Sequence, residues 1–136
     1  MANYAKTKYL EQKLLTHVLL GVEYTPPSQV YLALFTADPG RNGSVANEVN
    51  DPAYTRQLIT FTPADDDPES GSYCQNTALI RFPQATQDWG DVSHGGIMDS
   101  LTGGNMLYKG PFIKRKQVLE DDYFEVPAGE VKIKED

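Results

Sequence analysis

The densest grouping of residues able to do chemistry runs from Asp88 to Asp99, where Trp89-Gly90 precedes His94-Gly95-Gly96. A histidine set among Asp88, Asp91 and Asp99 has the composition of a general base with an orienting carboxylate. The same residues have a structural reading. Trp89 would close the end of a core, the glycines would admit bulky neighbours or form a bulge, and His94 would cap or bond a loop. That reading is preferred, because neither a Gly-x-Ser-x-Gly nucleophile turn nor an interpretable third group completes a site. Asp65-Asp66-Asp67 with Glu69 offers oxygen ligands but lacks the alternating spacing and central glycine of a calcium loop, so an exposed acidic loop is expected. His17 and His94 fall in different elements and Cys74 is the only cysteine, which leaves no zinc signature and no intramolecular disulfide. The chain is therefore read as non-enzymatic, with no catalytic residue, no cofactor and no metal.

The elements that must position these residues follow from periodicity. Leu10, Leu14, Leu15, Val18 and Leu19 recur at three- and four-residue spacing, which predicts an amphipathic helix over residues 5–20. Gly21 stops it, Pro26-Pro27 prevents continuation, and His17 suits its C-terminal end. A helix of this length does not fold alone and must dock on the domain or on a neighbour. From Val30 the period becomes two. Val30 to Thr36 is apolar on both faces and predicts a central strand covered on each side, with the helix on one. Further strands are expected at Tyr54 to Thr62, Tyr73 to Phe82, Phe112 to Leu119, Tyr123 to Val126 and Glu130 to Lys134. Asp91 to Met98 and Asn105 to Lys109 read as a hairpin. Short strands at near-regular spacing predict an all-β fold, a compact antiparallel β-sandwich or barrel-like domain, with one N-terminal amphipathic α-helix. Residues 1–136 are expected to form a single domain, with the sandwich over 29–136.

Composition narrows the partners. With 12 basic against 19 acidic residues the net charge is −7, which works against a nucleic-acid partner, since that affinity comes largely from Lys and Arg displacing counterions. No stretch approaches the ~20 apolar residues of a membrane helix and no leader-like run opens the chain, so synthesis in the cytoplasm and no membrane partner are expected. Arg56 and Arg81, set in apolar strands, are read as pairing with carboxylates across strands. The interface expectation falls on Tyr4, Tyr9 and Tyr24 flanking the helix, Arg41 in the turn after the first strand, Asp66 in the acidic loop, and Lys114 and Arg115 of the basic run.

Three stretches resemble a known family. Phe82-Pro83-Gln84-Ala85-Thr86-Gln87-Asp88-Trp89-Gly90, Val92-Ser93-His94-Gly95-Gly96-Ile97-Met98-Asp99 and Thr102-Gly103-Gly104-Asn105-Met106-Leu107-Tyr108-Lys109-Gly110 are similar to small virion structural proteins of tailed bacteriophages, commonly labelled tail fibre or minor tail proteins. Val30 to Pro39, Tyr54-Thr55-Arg56-Gln57 and the closing Pro127-Ala128-Gly129-Glu130-Val131 extend the resemblance over nearly the whole chain. The acidic loop from Asp65 to Gly71 and Leu119-Glu120-Asp121 depart from it. The resemblance implies a virion part made in the host cytoplasm, tail or tail-fibre associated. It would dock on other phage structural proteins, tail or capsid, and form a homo-oligomer. Capsid decoration and a host-surface carbohydrate-binding module, with Trp89 and exposed tyrosines as stacking groups, are the alternatives.

Overall fold

Antiparallel β structure dominates the computed structural model, which describes residues 4–136. The elements in order are β1 (Ala5–Lys6), α1 (Lys8–Leu20), β2 (Val30–Phe35), β3 (Gln57–Ile59), β4 (Asp65–Asp66), β5 (Ser72–Gln75), β6 (Ile80–Arg81), β7 (Gly90–Met98), β8 (Met106–Val118), β9 (Glu125–Val126) and β10 (Lys132–Glu135). They form a five-stranded sheet in the order β1-β8-β7-β2-β3, a three-stranded sheet β10-β5-β4 and a two-stranded ribbon β6-β9, all antiparallel. None of them closes into a barrel, so the sheets pack as open layers.

Strand β2 alternates between two cores. Leu32 and Leu34 face the main cluster, which also takes Ile59, Val92, Ile97 and Phe112 from the large sheet and Ile80, Phe82, Phe124, Val126 and Val131 from the opposing layers. Ala33 and Phe35 face the other side, where they meet Met98 and Met106. That second side was expected to lie under the helix. It is covered instead by the turn after β2 and the start of α1. Gly43 there has Met106 and the Thr7 methyl within 3.4 Å of where its Cβ would be, and the Lys8 N–H donates to the Arg41 carbonyl.

Four boundaries differ from the sequence reading, each for a physical reason. The helix begins at Lys8 because Ala5 and Lys6 are paired to Lys109 and Tyr108 of β8, and the Thr7 hydroxyl donates to the Met106 carbonyl instead of capping the first turn. The strand expected over Tyr54 to Thr62 shrinks to Gln57–Ile59, since Tyr54 and Arg56 commit their side chains inward. The strand expected over Tyr73 to Phe82 splits into β5 and β6, in different sheets, at buried Asn76. There the Asn76 amide donates to the Ala78 and Pro127 carbonyls and accepts from the Val131 N–H, taking over from the ladder. The hairpin arm after residue 105 runs on through Pro111, which pairs with His94 at the edge of a register shift, residues 112–115 forming a bulge before Lys116 rejoins the ladder at Val92.

Candidate docking surface

Around His94 the carboxylates that could have oriented it are engaged elsewhere. Asp88 accepts from the Glu120 N–H, Asp91 pairs with Arg115 at 2.6 Å, and Asp99 accepts from the backbone and side chain of Asn105. His94 itself shares a 2.8 Å hydrogen bond between Nδ1 and the neighbouring Ser93 hydroxyl, and partial burial lowers its pKa against the opposing pull of Asp38. The glycines have a packing role. A Cβ on Gly95 would lie 2.6 Å from the Tyr4 hydroxyl and 2.8 Å from the Phe112 ring, and one on Gly96 would lie 2.9 Å from Phe35. Trp89 is only 6% exposed, with its indole N–H donating to Asp51. Asp51 also accepts from the backbone N–H groups of Ala53 and Thr86 and from the Thr86 hydroxyl. Burial alone would raise the pKa of its carboxyl, yet these four bonds hold it far below the ordinary carboxylate range.

Both arginines pair with a carboxylate, but only Arg81 does so across paired strands, since Arg56 and Glu48 lie outside the strands. Arg56 forks onto Glu48 at 2.9 and 3.0 Å, and its Nη1 group donates to the Ser100 and Gly103 carbonyls, tying the β7–β8 hairpin tip to the body. Tyr54 bridges the same carboxylate to the Leu34 N–H. Arg81 pairs with Glu125 of β9 at 3.2 Å and lies 3.7 Å above the Tyr123 ring.

The residues expected to form an interface scatter over the molecule. Tyr4 is the clear correction. Because β1 pins the chain to β8, its side chain enters the core at 4% exposure, and burial pushes its phenol well above the ordinary tyrosine value. It therefore cannot present itself to a neighbour. Tyr9 and Tyr24 are half-buried near each other at the helix side, with the Lys13 ammonium over the Tyr9 ring. Arg41 is exposed there and pairs with Glu11 at 2.7 Å. Asp66 is exposed in β4, a two-residue edge strand whose charges discourage strand addition. Lys114 and Arg115 are exposed on the bulged part of β8, along a cleft of about 430 Å³ that also touches Leu79 and Tyr123.

Three features go beyond the sequence reading. Asp67 does not belong to an exposed loop. It is buried against Lys132 at 2.6 Å and Lys134 at 3.5 Å, and the Lys132 ammonium is the main cause of its strongly lowered pKa. Cys74 is half-buried beside an apolar cleft of about 250 Å³ between the sheets. The helix also presents what no list of polar residues could reveal: Leu15, Val18, Leu19 and Leu20 are 58 to 73% exposed. Among the described residues no helix is long and apolar enough to cross a membrane.

A mostly β chain whose candidate catalytic residues are taken up by packing and hydrogen bonds, and which leaves one side of an apolar helix exposed, has the makings of a structural part. Comparison with known proteins agrees with that class, since the sequence profile it matches is one of phage fibre proteins. The matching family is described as podophage GP4 fiber I protein gp80, the match covers residues 5–134, and the chain belongs to this family. No curated protein matches the chain.

Proposed function

We propose that the chain is a non-enzymatic structural protein of the virion, associated with the tail or tail fibre, that works by docking on other virion proteins and on copies of itself. Membership of a podophage fibre family over residues 5–134 carries this reading. The exposed leucine and valine side chains of α1 supply the kind of surface a docking part needs. The excess of carboxylates over lysine and arginine argues for protein partners over nucleic acid.

Capsid decoration is the rival placement, and it would use the same surfaces. The carbohydrate-binding alternative is weakened by the burial of Trp89, whose ring faces are taken up in the core and whose N–H is spent on Asp51. Copy number in purified particles, read from cryo-EM density or from band intensity against the major capsid protein, tests the placement. A few to dozens of copies located at the tail supports the proposal, whereas hundreds distributed over the head assigns the chain to decoration.

A further inference from the structure

One side of α1 is left uncovered by its own chain. Leu15, Val18 and Leu19 recur at spacings of three and four residues, Leu20 lies beside them in the last turn, Val22 follows the Gly21 cap, and each is 53 to 73% exposed. Only Leu10, in the first turn and a half, is buried, so the helix is fastened at its start and turns its later apolar residues outward. Together these five side chains present on the order of 500 Å² of apolar surface, at the upper end of what a soluble monomer leaves bare. Beside them runs a groove of about 440 Å³, walled by Leu14, Leu15 and Val18 on one side and by the Lys6–Glu135 ion pair on the other.

We propose that this helix face is where one copy of the chain associates with another, the Leu15, Val18 and Leu19 stripe of each seated against the stripe and groove of its neighbour. The inference rests on the reading of the chain as a self-associating virion part and assigns the surface that does it. Two properties select a second copy over other occupants. The first is self-complementarity. The stripe consists of leucine and valine at the spacing by which like helices interlock, and the charged groups that border it, Lys6, Glu135 and Glu11, are already paired within the chain, Lys6 with Glu135 and Glu11 with Arg41, so none calls for a dissimilar partner. Two such faces would bury up to roughly 1,000 Å² between them, the threshold for a biological contact and the size of a weak, reversible one.

The second property is charge. Residues 1–22 carry three lysines against one glutamate, net +2, whereas the other 9 cations and 18 carboxylates leave the rest of the chain at −9. On an acidic body this arm is the part of the surface least opposed by like charge when two copies approach, since contact between two arms sets a small charge against a small charge, whereas contact between two bodies sets −9 against −9.

Sedimentation equilibrium of the full chain at about 100 μM tests this, because association follows mass action. The expected mass is at least twice 15.1 kDa for the wild-type chain and 15.1 kDa for a Leu15→Glu/Leu19→Glu variant. Both replaced side chains are exposed, so that variant keeps a cooperative thermal transition, which verifies that it folds. Ile113→Glu, at an exposed apolar position on β8, retains the wild-type mass. A wild-type chain that stays monomeric, or a double variant that still associates, overturns the proposal. Particle incorporation separates its failure from that of the wider reading. If the wild-type chain is monomeric and the double variant is lost from particles, the face docks a different virion protein and the second-copy assignment is overturned. If the wild-type chain is absent from particles altogether, it is the proposed function that fails.

Discussion

At Gly95 the available space is set by two aromatic side chains, and this makes a single methyl group measurable. The Tyr4 hydroxyl and the Phe112 ring lie 2.6 and 2.8 Å from where a Cβ would stand. Gly95→Ala is therefore expected to cost about 1 to 3 kcal/mol of folding stability, the range for forcing a methyl into a filled core, read by chemical denaturation. The Tyr4 hydroxyl is both the closer neighbour and a buried group that meets no hydrogen-bond partner among the described residues. Removing it by Tyr4→Phe takes away an uncompensated polar atom, so stability should hold or rise by up to ~1 kcal/mol. In the double variant Tyr4→Phe/Gly95→Ala the methyl loses its nearest obstacle and meets only the Phe112 ring and the Leu32 methyl, and the combined cost should fall below that of Gly95→Ala alone. Strict additivity of the two changes would mean that Tyr4 and Gly95 are not in contact. The glycine pair was legible in the sequence as a place where bulky neighbours come close, because only a missing side chain permits that. The identity of the neighbour was not legible. Tyr4 sits at the head of a helical pattern, and only the pairing of Ala5 and Lys6 with β8, some hundred residues later in the chain, turns its ring inward.

Between elements, two clamps built from charged residues do what the hydrophobic pattern alone does not. Arg56 joins Glu48 to the carbonyls of Ser100 and Gly103, so the hairpin tip between β7 and β8 is held by one guanidinium. Arg56→Ala leaves the Glu48 carboxylate half-buried without its partner, and a loss of about 3 kcal/mol is expected, with faster amide exchange at residues 99–104. Unchanged exchange there would show that the tip is held by its own turn. The second clamp is Asp67 between Lys132 and Lys134, which fastens the acidic turn to β10. The Lys132 ammonium lowers the Asp67 pKa, and the carboxylate in turn raises that of Lys132. A depressed carboxylate pKa adds stability above the unfolded value of about 3.9 and loses it as pH falls through the folded value. Asp51, lowered by its four donors, contributes in the same direction. A raised lysine pKa adds stability below the unfolded value of about 10.4 and loses it as pH rises through the folded one. Stability should thus decline on both sides of a neutral plateau. Asp67→Asn should flatten the acid limb and the alkaline limb together, whereas Asp51→Asn should flatten only the acid limb. Sequence periodicity located β2, the β7–β8 hairpin and α1, since each has a run of apolar residues at one period. It misjudged Tyr54 to Thr62 and Tyr73 to Phe82, where Arg56 and Asn76 draw the chain into side-chain bonds that a binary pattern does not encode.

For the whole molecule, the pattern of α1 shows why a sequence discloses an apolar face more readily than it discloses what covers it. The recurrence of Leu15, Val18 and Leu19 demands burial, and the demand is the same whether a chain's own sheet or another molecule meets it. Within one chain it is not met, because the pairing of β1 with β8 fixes where the helix starts and leaves only Leu10 over the sheet. Stability should then depend on assembly. If copies associate through that face, folded chains are withdrawn into the oligomer, and each tenfold rise in concentration favours the folded side by up to ~1.4 kcal/mol per dissociation step coupled to unfolding. The thermal midpoint of the wild-type chain should climb steadily between roughly 5 and 500 μM, by a few degrees per decade for a chain of this size. For Leu15→Glu/Leu19→Glu, whose helices cannot meet, the midpoint should stay level over the same range. The two curves should converge at the dilute end, where the wild-type chain is also monomeric and the replaced side chains are mostly exposed to water. Parallel curves separated at every concentration would instead show that Leu15 and Leu19 support the fold of the single chain, and that the exposed side of α1 is not the joint between copies.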